Sequence, residues 1–185
     1  AAPGAGGGSS GSAAPLERRN ADGSLWVHSP RVVHYALRLP RELGEVGVRF
    51  PLPESGIVGV ALNGVLLMAP GNTRWDAEFD SCGGHSDTHG RYHYHLPAHC
   101  LLPPWSRPES PSWWLTRGPA AVAHWPQEGW SPLLGVALDG TPIHGPYGPD
   151  GRLVRPVRDL DECNGATING TYVYFWTVEA PHLPP

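Results

Sequence analysis

The chain has 185 residues, 40% of them apolar, and 17 acidic against 13 basic side chains give a formal charge of −4. Every basic residue is arginine, so Schiff-base and phosphate-loop lysine chemistry are excluded. No basic patch offers a nucleic-acid surface, and no apolar run reaches the ~18 residues of a membrane-spanning helix.

Residues 1–20 read as a flexible tail, with 1–15 almost pure Ala, Gly, Ser and Pro. That stretch lacks the charged and apolar regions of a signal peptide. Residues 21–185 then read as one β-rich domain, in which eight Trp and six Tyr supply large buried areas. Leu25-Trp26-Val27 begins the strands. Over 31–39 the apolar Val33, Tyr35, Leu37 and Leu39 alternate with Val32, His34, Ala36 and Arg38, which predicts a half-buried antiparallel strand. Val46-Gly47-Val48-Arg49-Phe50 repeats that pattern until Pro51 and Pro53 end it. Residues 56–68 read strand, turn, strand, with the hairpin signal Asn63-Gly64 at the tip.

The same pattern returns at 132–144, with Asp139-Gly140 in place of Asn63-Gly64. Downstream of the first copy come Asp80, Cys82-Gly83-Gly84-His85 and Tyr92-His93-Tyr94-His95. Downstream of the second come Asp161, Cys163-Asn164-Gly165-Ala166 and Tyr172-Val173-Tyr174-Phe175. This internal duplication predicts an all-β sandwich or barrel-like domain built from two pseudo-symmetric halves, with long irregular loops and little helix. The halves cover about 21–100 and 132–180. Between them lies a Trp/Pro-rich insert, 101–131, holding Trp105, Trp113, Trp114, Trp125 and Trp130. Its aromatics are expected to cap an edge of the β scaffold, with protein or glycan contact as the functional reading. Residues 120–125 suit a helical turn.

Chemistry concentrates in Arg91-Tyr92-His93-Tyr94-His95. In a strand, successive side chains point to opposite faces. His93 and His95 therefore share one face, and Tyr92 and Tyr94 the other. His85 arrives from the preceding Gly-rich turn as a third imidazole. The tyrosines recur in the second half, whereas His85, His93 and His95 align with Ala166, Val173 and Phe175. The tyrosines therefore belong to the scaffold and the histidines to a site, expected to hold one transition-metal ion, copper or zinc. His144 aligns with Met68 and is the candidate fourth ligand, provided that a loop of one half reaches a strand of the other. Asp87 and Tyr147 are candidates to touch the metal or its ligands. His89 and His99 rank below them. Asp80, Asp161 and Asp139 recur across the copies (Asn63 replaces the last), which points to turn hydrogen bonding rather than catalysis. Cys82, Cys163 and Cys100 allow a Cys82–Cys163 bridge across the repeat or a Cys82–Cys100 bridge closing the His-bearing loop. Asn169-Gly170-Thr171 is a glycosylation pattern that, with the cysteines, favours a secreted or cell-surface protein.

The ordered set GVALNG, CGGH, YHYH, GVALDG-PI-GPYG and DECNG resembles the YHYH-domain family over roughly residues 56–178. The resemblance implies a secreted or surface-associated protein and supports a metal site. The second half departs from the family pattern at Ala166, Val173 and Phe175, which favours one site over two. Two functional readings follow. One is a metal-binding domain, with hydrolytic or redox chemistry on an unspecified substrate open to it. The other is a non-catalytic structural or interaction module of an extracellular or surface assembly.

Overall fold

The computed structural model describes residues 16–19, 25–28, 31–40, 56–69, 82, 84–87, 89–98, 101, 129–179 and 182–183. Ten strands and no helix occur among them. Strands β1 (Leu16–Arg19) and β2 (Leu25–His28) form a separate antiparallel pair. The remaining strands form one sheet: β3 (Ile57–Ala61), β4 (Leu66–Met68), β5 (Gly84–Ser86), β6 (Tyr92–Tyr94), β7 (Leu133–Ala137), β8 (Pro142–His144), β9 (Gly165–Ile168) and β10 (Thr171–Phe175). Their order is β5-β6-β4-β3-β7-β8-β10-β9.

That order is a palindrome of the duplication. Each copy makes an antiparallel hairpin (β3–β4, β7–β8), adds a parallel strand (β6, β10) and ends in an antiparallel edge strand (β5, β9). Registers repeat as well: Leu67 pairs with Tyr94 as Ile143 pairs with Tyr174, and His85 pairs with His93 as Ala166 pairs with Val173. The copies join through β3 and β7, where Gly59↔Ala137 and Ala61↔Gly135 flank the Val60↔Val136 pair. A pseudo-twofold axis thus passes between the two valines. The backbones close tightly at this junction. A Cβ on Gly59 would lie 2.6 Å from the Val136 carbonyl oxygen, and one on Gly135 would lie 2.7 Å from that of Val60. Only glycine allows that approach. Both β3 and β7 carry a register shift just before these glycines, at Ile57/Gly59 and Leu133/Gly135. Val58 and Leu134, the residues inside the shifts, are buried in the core.

Asn63-Gly64 and Asp139-Gly140 turn the two hairpins as the sequence predicts, with Gly64 and Gly140 at φ 84° and 87°. The turn residues also serve the tyrosines. Asn63 Nδ2 donates to the Tyr94 hydroxyl, and the Tyr174 hydroxyl donates to Asp139 Oδ2. Tyr92 and Tyr94 meet edge to face at 5.6 Å, and Tyr172 and Tyr174 do so at 5.3 Å. Tyr94 continues into the main core with Leu67, Leu134, Ile143 and Trp176. On the other face of β10, Val173 and Phe175 form a second apolar cluster with Leu160, flanked by Val154, Ala166 and Ile168.

The all-β class stands, and the sheet is open, ending at β5 and β9. The strand expected over 31–39 does not form. Arg31 N–H donates to the Gly90 carbonyl, but the segment joins no sheet and its side chains are exposed apart from a half-buried Leu39. Its sidedness survives, since Val33 and Tyr35 are 41% and 42% exposed against 88% for Val32. Alternation dictates which side chains face the protein; pairing needs a free sheet edge at the right place. Leu16–Arg19, placed in the tail on composition, forms β1. The strand expected at 46–50, most of the Trp/Pro-rich insert and the helical turn at 120–125 lie outside the described residues.

Candidate metal centre

The histidines come from one hairpin. Asp87 shapes its turn: Oδ1 accepts the His89 and Arg91 amides, and Oδ2 accepts from Arg91 Nε. Burial alone would raise the Asp87 pKa, but the hydrogen bonds from Arg91 and His89 outweigh it and hold the carboxyl below its ordinary value. The Asp87 amide donates to the Arg91 carbonyl at 3.1 Å, and Gly90 takes the positive φ, 79°, that the turn requires. This turn sets the register in which His85 lies directly across from His93. His95 follows two residues on and projects from the same face.

All three imidazoles are buried, at 6%, 3% and 5% exposure for His85, His93 and His95. Ring centroids lie 4.6 Å apart for His85–His93, 4.6 Å for His93–His95 and 5.2 Å for His85–His95. One ring nitrogen from each falls within 4.8 Å of the others. The tautomers follow from the neighbours. His93 Nδ1 lies 2.9 Å from the Arg91 carbonyl oxygen, and His95 Nδ1 lies 2.9 Å from that of Met68. A carbonyl only accepts, so each of these contacts calls for a hydrogen on Nδ1, and the two Nε2 atoms face each other at 2.9 Å in a contact whose donor depends on the tautomers. The Ala69 backbone also engages His95. Burial, then the charge of His93, pushes the His95 pKa down to about 4 and keeps that ring neutral at pH 7. Ring nitrogens grouped this closely could hold a cation.

The second half holds an apolar copy of this surface. Ala166, Val173 and Phe175 occupy the registers of His85, His93 and His95, and they pack with Leu160. Asp161 there accepts the Cys163 and Gly165 amides and the Tyr172 hydroxyl, the turn role expected from its recurrence.

His144 lies elsewhere. Its Nδ1 donates to the Ser131 carbonyl at 3.1 Å, and its ring stacks on Trp130 at 4.5 Å. Strands β4, β3 and β7 separate β8 from β6, which at ~4.8 Å per strand puts the two about 19 Å apart. Reaching the cluster needs halves packed face to face, and they join edge to edge. Tyr147 is also remote, bridged to Leu153 and buried in the core, where desolvation raises its pKa. His89 is exposed beside Asp87 at 3.9 Å. Half-buried His182 donates through Nδ1 to the Thr177 carbonyl. Cys163 has a free thiol, so the Cys82–Cys163 bridge does not form. These residues precede β5 and β9, the opposite edges of the sheet, about 34 Å apart at ~4.8 Å per strand and far beyond disulfide reach. Cys100 and His99 lie outside the described residues. Asn169 sits exposed at the β9–β10 tip with φ 50°, followed by Gly170 at 82°, so Asn-Gly is explained by the turn itself. The anchoring carbonyls of Arg91 and Met68 left no trace in the sequence, since every residue carries a carbonyl.

Fold and site together define an all-β protein with a buried three-histidine cluster on one half of a duplicated sheet. The family model described as YHYH protein matches residues 39–151, more than half of the chain, and the chain belongs to this family. No curated protein and no solved structure matches it.

Proposed function

We propose that this domain binds one transition-metal ion through Nε2 of His93, Nε2 of His95 and a ring nitrogen of His85. The observation that carries this reading is the facing pair of buried Nε2 atoms, 2.9 Å apart, whose Nδ1 atoms are both committed to carbonyls. Two donors ~2.1 Å from a metal lie ~3.4 Å apart in a tetrahedron and ~3.0 Å apart at a right angle. The observed spacing favours tetragonal copper(II), and zinc requires the rings to part by roughly 0.5 Å. Three neutral imidazoles with a remaining position suit Lewis-acid or redox chemistry.

Metal content of untagged protein, set beside that of H93A/H95A, tests the proposal. About one metal per chain in the parent and almost none in the variant is the expected result. Equal, near-zero content in both overturns it. The cysteines and the Asn169 pattern support a secreted or surface location with a Cys82–Cys100 bridge, Cys163 being free. One observation favours the second reading, an interaction module for an extracellular protein or glycan: the 31–39 segment joins no sheet and leaves apolar side chains exposed, Val32 most of all at 88%.

A further inference from the structure

We infer that Asn169 is a modification site of this protein, the asparagine at which the folded chain gives up its side-chain amide to water. The inference is independent of the metal reading. An Asn-Gly pair deamidates when the glycine nitrogen attacks the side-chain carbonyl carbon of the asparagine. A C–N bond forms, the amide C–N bond breaks, and the side-chain nitrogen leaves with the displaced proton as ammonia. Water then opens the cyclic imide to aspartate or isoaspartate. The reaction needs a side-chain amide that is free to turn, a following N–H that is free of hydrogen bonds, and access for water.

The sequence holds three such pairs, Asn63-Gly64, Asn164-Gly165 and Asn169-Gly170, and the fold treats them differently. Asn63 is exposed but pinned. Its Nδ2 donates to the Tyr94 hydroxyl, its Oδ1 accepts the Val65 amide, and the Gly64 amide donates to the Ala61 carbonyl at 2.8 Å. Asn164 is 1% exposed, its Nδ2 donates to Thr177 Oγ1, and the Gly165 amide donates to Asp161 Oδ1. Asn169 and Gly170 are both exposed, and a Cβ on Gly170 would meet nothing within 4 Å. Among the described residues, no hydrogen bond engages the Asn169 side chain or the Gly170 amide. The register explains this freedom. Ile168 pairs with Thr171, which leaves Asn169 and Gly170 alone as a tight turn at φ 50° and 82°. In such a turn the flanking residues close the ladder, and the tip turns its own polar groups to water. The aspartate product keeps the turn, because Asp tolerates positive φ. Isoaspartate lengthens the main chain by one carbon inside that turn and loosens the edge strand β9 from β10. Both products erase the Asn-Gly-Thr acceptor, so deamidation and a glycan at Asn169 exclude each other.

The test is a time course on the full chain, made in a host that adds no N-linked glycan and held in mildly alkaline buffer. Peptide mass spectrometry follows the amide-to-acid mass gain at each Asn-Gly pair, with fragment ions separating residues 164 and 169. A second sample is held in concentrated urea. In the folded protein, residue 169 should convert ahead of residues 63 and 164 by at least about tenfold, since each hydrogen bond that must first break slows its site several-fold. In urea the three pairs should react at similar rates. Conversion of Asn63 or Asn164 as fast as Asn169 in the folded protein overturns the inference. So does an Asn169 that persists as long as the other two. A lead of the same size in urea overturns it as well, since local sequence and not the fold then sets the order.

Discussion

The second half of the sheet supplies a template for erasing the site, and the triple variant H85A/H93V/H95F copies it. Ala166, Val173 and Phe175 hold these registers in the other half, and Val173 and Phe175 are 2% and 1% exposed. Consider first H93V alone in metal-free protein. It removes the hydrogen bond to the Arg91 carbonyl and leaves His95 Nε2 against an apolar group. Leaving a buried polar atom without a partner costs about 1–3 kcal/mol. H95F alone does the same to His93. Taken together the changes remove the facing nitrogens as a pair, and replacing both members of a buried polar pair by apolar groups is close to neutral. The lost bonds to the Arg91 and Met68 carbonyls, about 1 kcal/mol each, are offset by the larger apolar area of Phe. The triple variant should therefore unfold within about 1 kcal/mol of the parent, while the two single variants each lose about 1–3 kcal/mol. Urea denaturation in the presence of a chelator measures all four proteins. Additive losses, with the triple variant down by roughly 4 kcal/mol or more, refute the reasoning. They would mean that the histidines form a structural network and that the apolar half is no guide to their surroundings.

Two further predictions concern pH and the junction of the halves. His95 is held at about 4 against an ordinary 6.5, so the unfolded chain takes up its proton first as pH falls. Stability of the metal-free protein is then complete above pH ~6.5 and is lost down to pH ~4, and the gap corresponds to roughly 3 kcal/mol. His182, also depressed by burial, acts in the same direction. Urea titrations at pH 7 and 4.5 should show the loss in the parent and a smaller one in H95F; a flat profile in the parent contradicts the assignment. At the junction, G135A places a methyl 2.7 Å from the Val60 carbonyl oxygen. It should cost about 2–3 kcal/mol, a fall in Tm of roughly 4–12 °C, and an unchanged Tm would mean that the two halves do not meet there.

What was legible in the sequence was local. The hairpins at Asn63-Gly64 and Asp139-Gly140 are set by two turn residues and the strands on either side. The triad was legible for the same reason, since His85, His93 and His95 belong to one hairpin and their common face follows from strand alternation. The β3–β7 junction pairs residues about 76 positions apart, and nothing in either copy announces it. That is why the repeat alignment does not place His144. It differs between the copies as the triad does, but edge-to-edge joining keeps three strands between it and β6. The 31–39 segment failed for a related reason: its alternation shows which side faces the protein, and it pairs with no strand among the described residues.

The duplication also bears on why three histidines are buried at all. The same sheet position in the second half is filled by Ala166, Val173, Phe175 and Leu160, so the scaffold tolerates apolar side chains there. The sheet register by itself therefore does not dictate imidazoles at 85, 93 and 95. Asp161 shows how the other half uses its polar groups, on two amides and the Tyr172 hydroxyl of a turn. In the first half three buried imidazoles instead bring ring nitrogens within 4.8 Å of one another, a grouping that could hold a metal ion and that the second half lacks at the matching registers.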